Sequence, residues 1–146
     1  MHAYCNESFD KGKWHWGGNY PEGLPEENGS THIAMFFGWA VDNELVAEKF
    51  AGETIITKFR KREASLYELI AWFDEVLVGD MLTQLGAAFA HDYYAGEGRK
   101  TFFNDYEKTV GKRVPTLYHV EPSFDNYAIV SKVIDRRFKK WLKKNS

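Results

Sequence analysis

The 146-residue sequence contains a single cysteine, Cys5, and has no apolar run that approaches the roughly 20 residues needed to cross a membrane. One cysteine excludes an intramolecular disulfide and a zinc site built from several thiolates, and it favours a reducing compartment. Residues 1–7 lack the basic stretch followed by an apolar stretch that marks a secretory signal. We therefore expect a cytoplasmic protein that makes no contact with a membrane.

Motifs for catalysis, cofactors and metals are also missing. The glycines at 17–18 and 96–98 lack both the flanking strand and the Lys or Ser/Thr of a phosphate-binding loop. No nucleophile-elbow pattern is present, and no two histidines have the i, i+4 spacing that places two metal ligands on one helical face. The sequence therefore predicts no cofactor, no metal and no catalytic residue.

The chain does have abundant material for a hydrophobic core. Apolar residues make up 44% of it and aromatic residues 16%, including five tryptophans, and this composition is typical of a globular protein. At this length we expect residues 1–146 to form a single domain. The composition alone gives no further indication of function.

The net charge of −2 conceals an uneven distribution of charge. Residues 136–146 hold six basic residues and no acid, so residues 1–135 carry a net charge of −8. An acidic body repels phosphate backbones and suits a basic protein partner, so nucleic acid is a disfavoured ligand. The basic residues of the tail are Arg136, Arg137, Lys139, Lys140, Lys143 and Lys144.

Hydrophobic periodicity predicts a mainly α fold, a compact bundle of five to six helices. Ser65 and Glu68 have the spacing of a capping box, and Ser123 is a plausible N-cap. Thr116–Val120 is rich in β-favouring residues and is either an edge strand or an extended connector. The predicted helices cover residues 30–42, 44–62 with a break near Gly52, 65–77, 82–93, 101–110 and 123–146.

Residues 1–30 form a predicted irregular arm, because their many glycines and prolines prevent a long helix or a central strand. Trp14, Trp16 and Tyr20 are too large and apolar to remain in water at no cost, so we expect the arm to wrap over the helical body.

Two groups of polar residues are candidates for function. His15, His32 and His119, together with nearby carboxylates, would carry an enzymatic activity if the fold brought them to one pocket, although hydrogen bonding in the core explains single histidines more simply. Acidic side chains and exposed aromatic rings would instead serve as a partner-binding surface. The candidate residues for that surface are Trp14, Trp16, Tyr20, Asp42, Glu44, Asp74, Glu75 and Asp80.

The basic tail allows a third interpretation. Basic residues interleaved with Phe138 and Trp141 suit a nucleic-acid contact, but Lys and Arg in the last turns of a helix are also favoured by the helix dipole. We regard the ordinary helix end as the better explanation.

Several segments of the sequence resemble a family of small uncharacterised bacterial proteins. The segments are Asp10-Lys11-Gly12-Lys13-Trp14-His15-Trp16, Gly18-Asn19-Tyr20-Pro21, Leu24-Pro25, Thr31-His32-Ile33 with Met35-Phe36, Tyr93-Tyr94, Asp105-Tyr106-Glu107, Pro115 to Val120, Asn126-Tyr127 and Arg137-Phe138. The resemblance extends over nearly the whole chain but implies no site, because the family has no assigned catalytic residues.

Small stand-alone proteins of this type are similar, as a class, to immunity proteins, which neutralise a toxin by binding it. This analogy predicts a protein-binding inhibitor whose partner is a basic toxin domain. An enzyme of unrecognised type that uses His15, His32 and His119 is the alternative, and a nucleic-acid contact through the C-terminal helix is a weaker one.

Overall fold

The fold is built around one central helix, α1, which spans Thr31–Asp42. A computed structural model describes residues 2–146 of the chain. Every residue of α1 from Thr31 to Val41 is buried. The apolar stripe predicted for this helix is therefore only part of its contact surface, and a helix that is buried on all sides needs packing partners all round.

Six further α-helices are present within residues 2–146, and α1 packs closely against three of them, those over Thr54–Arg60, Leu66–Trp72 and Phe124–Lys144. The mainly helical fold class is thus confirmed. One more helix forms than the highest predicted number, because the predicted stretch 44–62 is divided at Gly52 into two helices. The helices are α2 (Glu48–Ala51), α3 (Thr54–Arg60), α4 (Leu66–Trp72), α5 (Gln84–Tyr93), α6 (Phe102–Lys108) and α7 (Phe124–Lys144).

The two predicted caps are confirmed. The Ser65 hydroxyl accepts a hydrogen bond from the Glu68 backbone N–H at 3.0 Å, and the Glu68 carboxylate accepts one from the Ser65 N–H at 2.9 Å. At the start of α7, the Ser123 hydroxyl accepts from the Asn126 N–H at 3.1 Å. Such side chains satisfy backbone donors that the first turn of a helix leaves unpaired.

A small antiparallel sheet joins the N-terminal arm to the body. Its strands are β1 (Ser8–Lys11) and β2 (Val76–Val78), and Lys11 is paired with Val76. The arm is therefore more ordered than predicted, since it contains this strand and two 3-10 turns, Gly12–His15 and Glu26–Ser30.

The helix predicted over 65–77 is too long by five residues. Helix α4 ends at Trp72, and both Asp74 and Glu75 adopt the left-handed backbone conformation, with φ of 60° and 57°. Left-handed residues cannot continue a right-handed helix, so the chain reverses and Leu77 enters β2 instead. The Glu75 carbonyl then accepts a hydrogen bond from the Gly12 N–H at 2.8 Å, which holds the arm against this turn.

The edge strand considered for residues 116–120 is wrong. Leu117–His119 forms a 3-10 turn, which the Thr116 hydroxyl caps by accepting from the Tyr118 N–H at 3.2 Å. A short β-favouring segment becomes a strand only where a partner strand is available, and a local side-chain cap competes with it here.

The core between α1, α5 and α7 is aromatic. The Trp39 ring of α1 lies 5.5 Å from Phe89 of α5 and 5.2 Å from Phe138 of α7, measured between centroids. Large rings give these helices much apolar contact area, and edge-to-face pairs add further stabilisation. None of the helices within residues 2–146 is both long and apolar enough to cross a bilayer.

The chain around Gly79 is too tightly packed for a side chain. A β-carbon on Gly79 would lie 1.8 Å from the Tyr4 carbonyl oxygen, and the Gly79 N–H donates to the Glu7 carbonyl at 2.8 Å. Residues 4–7 are therefore held in place by direct contact with the end of β2.

We predict that Gly79→Ala destabilises the fold by about 1–3 kcal/mol, because the added methyl group forces two backbone segments apart. The matched control is Gly52→Ala, since no atom lies within 4 Å of a β-carbon at Gly52. Urea denaturation of both variants checks the prediction, and equal stability of the two would contradict it.

Candidate functional site

Four separate parts of the chain meet at the buried carboxylate of Asp10. Asp10 lies in β1, and His15 lies at the end of the 3-10 turn that follows it. His32 is the second residue of α1, Tyr94 follows the last residue of α5, and Tyr118 lies in the 3-10 turn before α7. We call these five residues the Asp10 cluster.

The cluster is held together by short polar contacts. Asp10 Oδ1 lies 2.7 Å from His15 Nε2, while Oδ2 lies 3.0 Å from His32 Nε2 and 2.5 Å from the Tyr94 hydroxyl. His15 Nδ1 lies 2.7 Å from the Tyr118 hydroxyl. The two imidazole rings meet edge to face, with centroids 4.7 Å apart.

Asp10 is ionised within this cluster. Burial acts to raise the pKa of its carboxyl, but hydrogen bonds from His15, His32 and Tyr94 outweigh burial and hold the pKa well below its usual range. The Lys11 backbone N–H adds a further hydrogen bond to Oδ1 at 2.8 Å. The protein therefore keeps a negative charge at a position that is only 3% exposed.

His32 is neutral and carries its proton on Nε2. Burial lowers the pKa of His32 despite the opposing hydrogen bond to Asp10. Its Nδ1 is buried and has no hydrogen-bond partner within residues 2–146. An unpaired N–H at this buried position would cost more free energy than an unprotonated nitrogen. The proton is therefore on Nε2, from which it is donated to Asp10.

His15 is the imidazole of the cluster that reaches solvent, since its side chain is 16% exposed and that of His32 is fully buried. Burial raises the pKa of its partner Tyr118, so the Tyr118 hydroxyl is protonated. That hydroxyl lies within hydrogen-bond distance of His15 Nδ1 and can donate to it.

Two kinds of chemistry are compatible with these groups. Asp10, His15 and Tyr118 place a carboxylate, an imidazole and a hydroxyl in a row, which is the order that activates a nucleophile in hydrolytic enzymes. Two imidazoles and one carboxylate also form a donor set for a transition metal.

Five surface cavities stand out within residues 2–146, and none is lined by Asp10, His15 or His32. The rings of Phe103 and Tyr106 lie beside His32, at 5.3 and 6.1 Å between centroids.

The third histidine of the enzymatic alternative lies outside this cluster. His119 Nδ1 is 2.9 Å from the Thr116 hydroxyl, and His119 lines a cavity of about 520 Å³ together with Lys112 and Arg113. The fold thus brings together two of the three histidines that the sequence analysis named.

Asp10, Tyr94 and Tyr118 were not predicted to act together. The available signal for Asp10 was its position five residues before His15 in the same arm. Nothing in the local sequence connects Tyr94 or Tyr118 to Asp10, because they follow it by 84 and 108 residues.

Trp16 and Tyr20, two of the predicted partner-binding residues, are used within the arm. The Trp16 indole N–H donates to the Glu26 carbonyl at 2.7 Å, and the Tyr20 hydroxyl donates to the Pro25 carbonyl at 2.5 Å. Trp14, by contrast, is 54% exposed. Only one of the three aromatic residues therefore presents a large surface to solvent.

Three of the acidic candidates have partners. Asp42 is 2.7 Å from Arg62 and accepts a hydrogen bond from Tyr127, while Asp80 forms an ion pair with Lys49. The Glu75 carboxylate accepts from the Ser30 hydroxyl at 2.9 Å. These charges are partly neutralised or committed to internal bonds.

Asp74 and Glu44 are exposed and have no ion pair within residues 2–146. Glu44 follows α1 and has a φ of 59°, whereas Asp74 lies in the turn before β2. The eight candidates are therefore distributed over several parts of the surface.

Two half-exposed tryptophans lie at the same end of the sheet. Gly12, just after β1, donates a backbone hydrogen bond to Glu75, just before β2. Trp14 lies two residues after Gly12 and Trp72 three residues before Glu75, so both lie in the chain close to this contact. Trp72 is 48% exposed but was not among the predicted binding residues. Its position off the apolar stripe of its helix was the available signal. We call these two tryptophans and Asp74, which all lie in the chain close to this end of the sheet, the tryptophan face.

Three of the six basic C-terminal residues, Arg137, Lys140 and Lys144, line a groove of about 490 Å³ between α5 and α7. Arg137 is committed to a two-point contact with Asp105 at 2.8 and 2.9 Å, and the Trp141 indole N–H donates to Asp92 at 2.7 Å. Lys140 and Lys144 have no ion pair in the described part of the chain.

A family described as a domain of unknown function, DUF7832, matches residues 8–120. No curated protein and no solved structure matches the chain. The matched range contains the whole Asp10 cluster and the tryptophan face, whereas the basic residues of α7 lie outside it.

We predict that Asp10→Asn destabilises the protein by about 3 kcal/mol, because an amide leaves buried donors of the cluster unpaired. The matched control is Asp80→Asn, whose ion pair with Lys49 is about half exposed and should contribute less than about 1 kcal/mol. Urea denaturation at neutral pH measures both, and a loss no larger than that of the control would show that Asp10 is not a structural charge.

We also predict that stability falls with pH below about 6.5 through His32. The lowered pKa of His32 in the folded state means that the unfolded chain binds this proton first as the pH falls, so the free energy of unfolding decreases. The decrease should reach about 1 kcal/mol between pH 7.0 and 5.5.

The measurement should use the His91→Gln variant. A hydrogen bond to Glu7 raises the pKa of His91, and a raised pKa gives stability that is present at low pH and lost as the pH rises, opposite in sign to the effect of His32. Urea denaturation gives the free energy of unfolding of this variant at the two pH values. An equal free energy of unfolding at both would argue against a neutral, buried His32.

Proposed function

From the premise that the chain belongs to the DUF7832 family, a domain of unknown function, we propose that it acts in the cytoplasm by binding another protein. In this proposal it is an inhibitor of the immunity type, which neutralises a bacterial toxin by direct contact. The observation that carries the proposal is the tryptophan face, where Trp14 and Trp72 are each about half exposed.

Half-exposed tryptophans are a source of binding energy. Covering the exposed half of one indole removes about 100 Å² of mostly apolar surface from water and contributes about 2–3 kcal/mol. Tryptophan is also among the residues that most often dominate protein interfaces. Two such residues at one end of the sheet are therefore suitable anchors for a partner.

Charge favours a basic partner. Residues 1–135 carry a net charge of −8, and Asp74, two residues after Trp72, has no ion pair within residues 2–146. Complementary charge accelerates encounter with a partner and disfavours wrong ones, while the aromatic anchors supply most of the affinity.

The two alternatives have weaker support. For an enzyme, neither His15 nor His32 lines any of the five cavities described above, and His119 lies apart from them. For a nucleic-acid contact, the basic residues of α7 fall outside the range shared with the family. Protein binding through the tryptophan face is consistent with both observations.

We predict that Trp14→Ala and Trp72→Ala each weaken binding of the partner at least tenfold, because each removes a central apolar contact. The experiment captures partners on the tagged full chain in a lysate of the source organism and measures the affinity of the recovered protein by calorimetry. Leu85→Ala is the control, since Leu85 is 44% exposed and follows the opposite end of β2.

Relief of toxicity is the second readout. Co-expression of the wild-type chain should protect bacterial cells from the captured partner, and the Trp14→Ala, Trp72→Ala double variant should not. Binding that the tryptophan variants leave unchanged, or retention of nucleic acid alone in a salt-dependent manner, would refute the proposal.

A further inference from the structure

The Asp10 cluster has a property that protein binding does not use. One oxygen of Asp10 and one nitrogen each of His15 and His32 all lie within 4.8 Å of one another. These three side chains come from β1, the following turn and the start of α1, and both imidazoles direct Nε2 at the same carboxylate. We propose that Asp10, His15 and His32 bind a divalent transition-metal ion, with zinc as the best-matched metal.

The donor set determines the choice of metal. Imidazole nitrogens and a carboxylate oxygen suit zinc and related transition metals, whereas Mg²⁺ and Ca²⁺ prefer oxygen ligands alone. Zinc commonly takes three protein ligands and leaves a fourth position to water. A site with two histidines and one acidic residue meets this requirement.

The spacing of the donors requires a small movement. The two nitrogens lie 2.7 and 3.0 Å from the oxygens of Asp10, as in hydrogen bonds. Ligand atoms held about 2.1 Å from a tetrahedral ion are about 3.4 Å apart, so the side chains must separate by a few tenths of an ångström. His15 can make this movement, because it lies in a short turn and its side chain is partly exposed.

Neighbouring groups already orient two of the three ligands. The Tyr118 hydroxyl lies 2.7 Å from His15 Nδ1, where it would accept the N–H of a ring bound to metal through Nε2. The Tyr94 hydroxyl and the Lys11 N–H hold the two oxygens of Asp10. Such outer contacts are what fix the ligands in known metal sites.

Charge compensation favours a cation at this position. Asp10 is buried, and within residues 2–146 the basic side chains at ion-pair distance from it are the two histidines, with no lysine or arginine among them. A buried carboxylate is stabilised most strongly by a full positive charge, which a divalent ion would supply.

His32 limits the affinity. Metal on Nε2 moves the proton of the neutral ring to Nδ1, which has no acceptor within residues 2–146. An unpaired buried N–H is unfavourable, so we expect weaker binding than at a structural zinc site whose ligands are all paired.

The test titrates Co²⁺ and Zn²⁺ separately into the full chain after treatment with a chelator. Calorimetry should give one ion per chain with a micromolar Kd, and bound Co²⁺ should show the visible absorption of a four-coordinate ion. His15→Gln should weaken binding at least tenfold, while His119→Gln, a matched histidine outside the cluster, should leave it unchanged.

Circular dichroism should be used to check that His15→Gln is folded. The Tm of the wild-type chain should rise with zinc, and that of folded His15→Gln should not. No saturable binding by the wild-type chain, or an equal loss in the His119→Gln control, would overturn the proposal. Because the tryptophan variants leave these ligands intact, metal binding and partner binding can fail independently.

Discussion

Hydrogen bonds to the buried carboxylate of Asp10 fix how the N-terminal arm packs on the helices. Its charge is stable in the interior only because side chains from the arm, α1 and the end of α5 donate hydrogen bonds to it. The Tyr118 turn joins through His15. Losing any of these contacts would leave polar groups unpaired in the core, so the cluster fixes the position of the arm on the helical body.

The position of the arm in turn creates the surface with which we associate function. Trp14 lies three residues after the end of β1, and Trp72 lies four residues before the start of β2. The antiparallel pairing of β1 with β2 places these two strand ends side by side. The proposed metal site and the proposed binding face therefore share one structural cause. The metal site uses Asp10 and His15 of the arm, and the binding face uses the exposed Trp14 between them together with Trp72.

Much of the helical framework could be predicted from the sequence, but little of the candidate site. The start of α4 at Ser65 and the start of α7 at Ser123 were both predicted, because a cap depends on residues within one turn of each other. The turn at Asp74 was not predicted, because apolar periodicity continued through it to Leu77. The Asp10 cluster was missed for a different reason, since its members are separated by up to 108 positions in the sequence.

Local sequence patterns were enough to predict the helical class, the main helices and their caps, since periodicity and capping act between residues at most a few positions apart. Long-range packing, in contrast, places Leu77 in a strand, folds residues 117–119 into a turn and brings Asp10 to Tyr94. Each of these outcomes depends on which distant segment packs alongside, and local sequence patterns carry no information on that choice. The energy of a buried charge depends on all its neighbours at once, and folding alone brings those neighbours together.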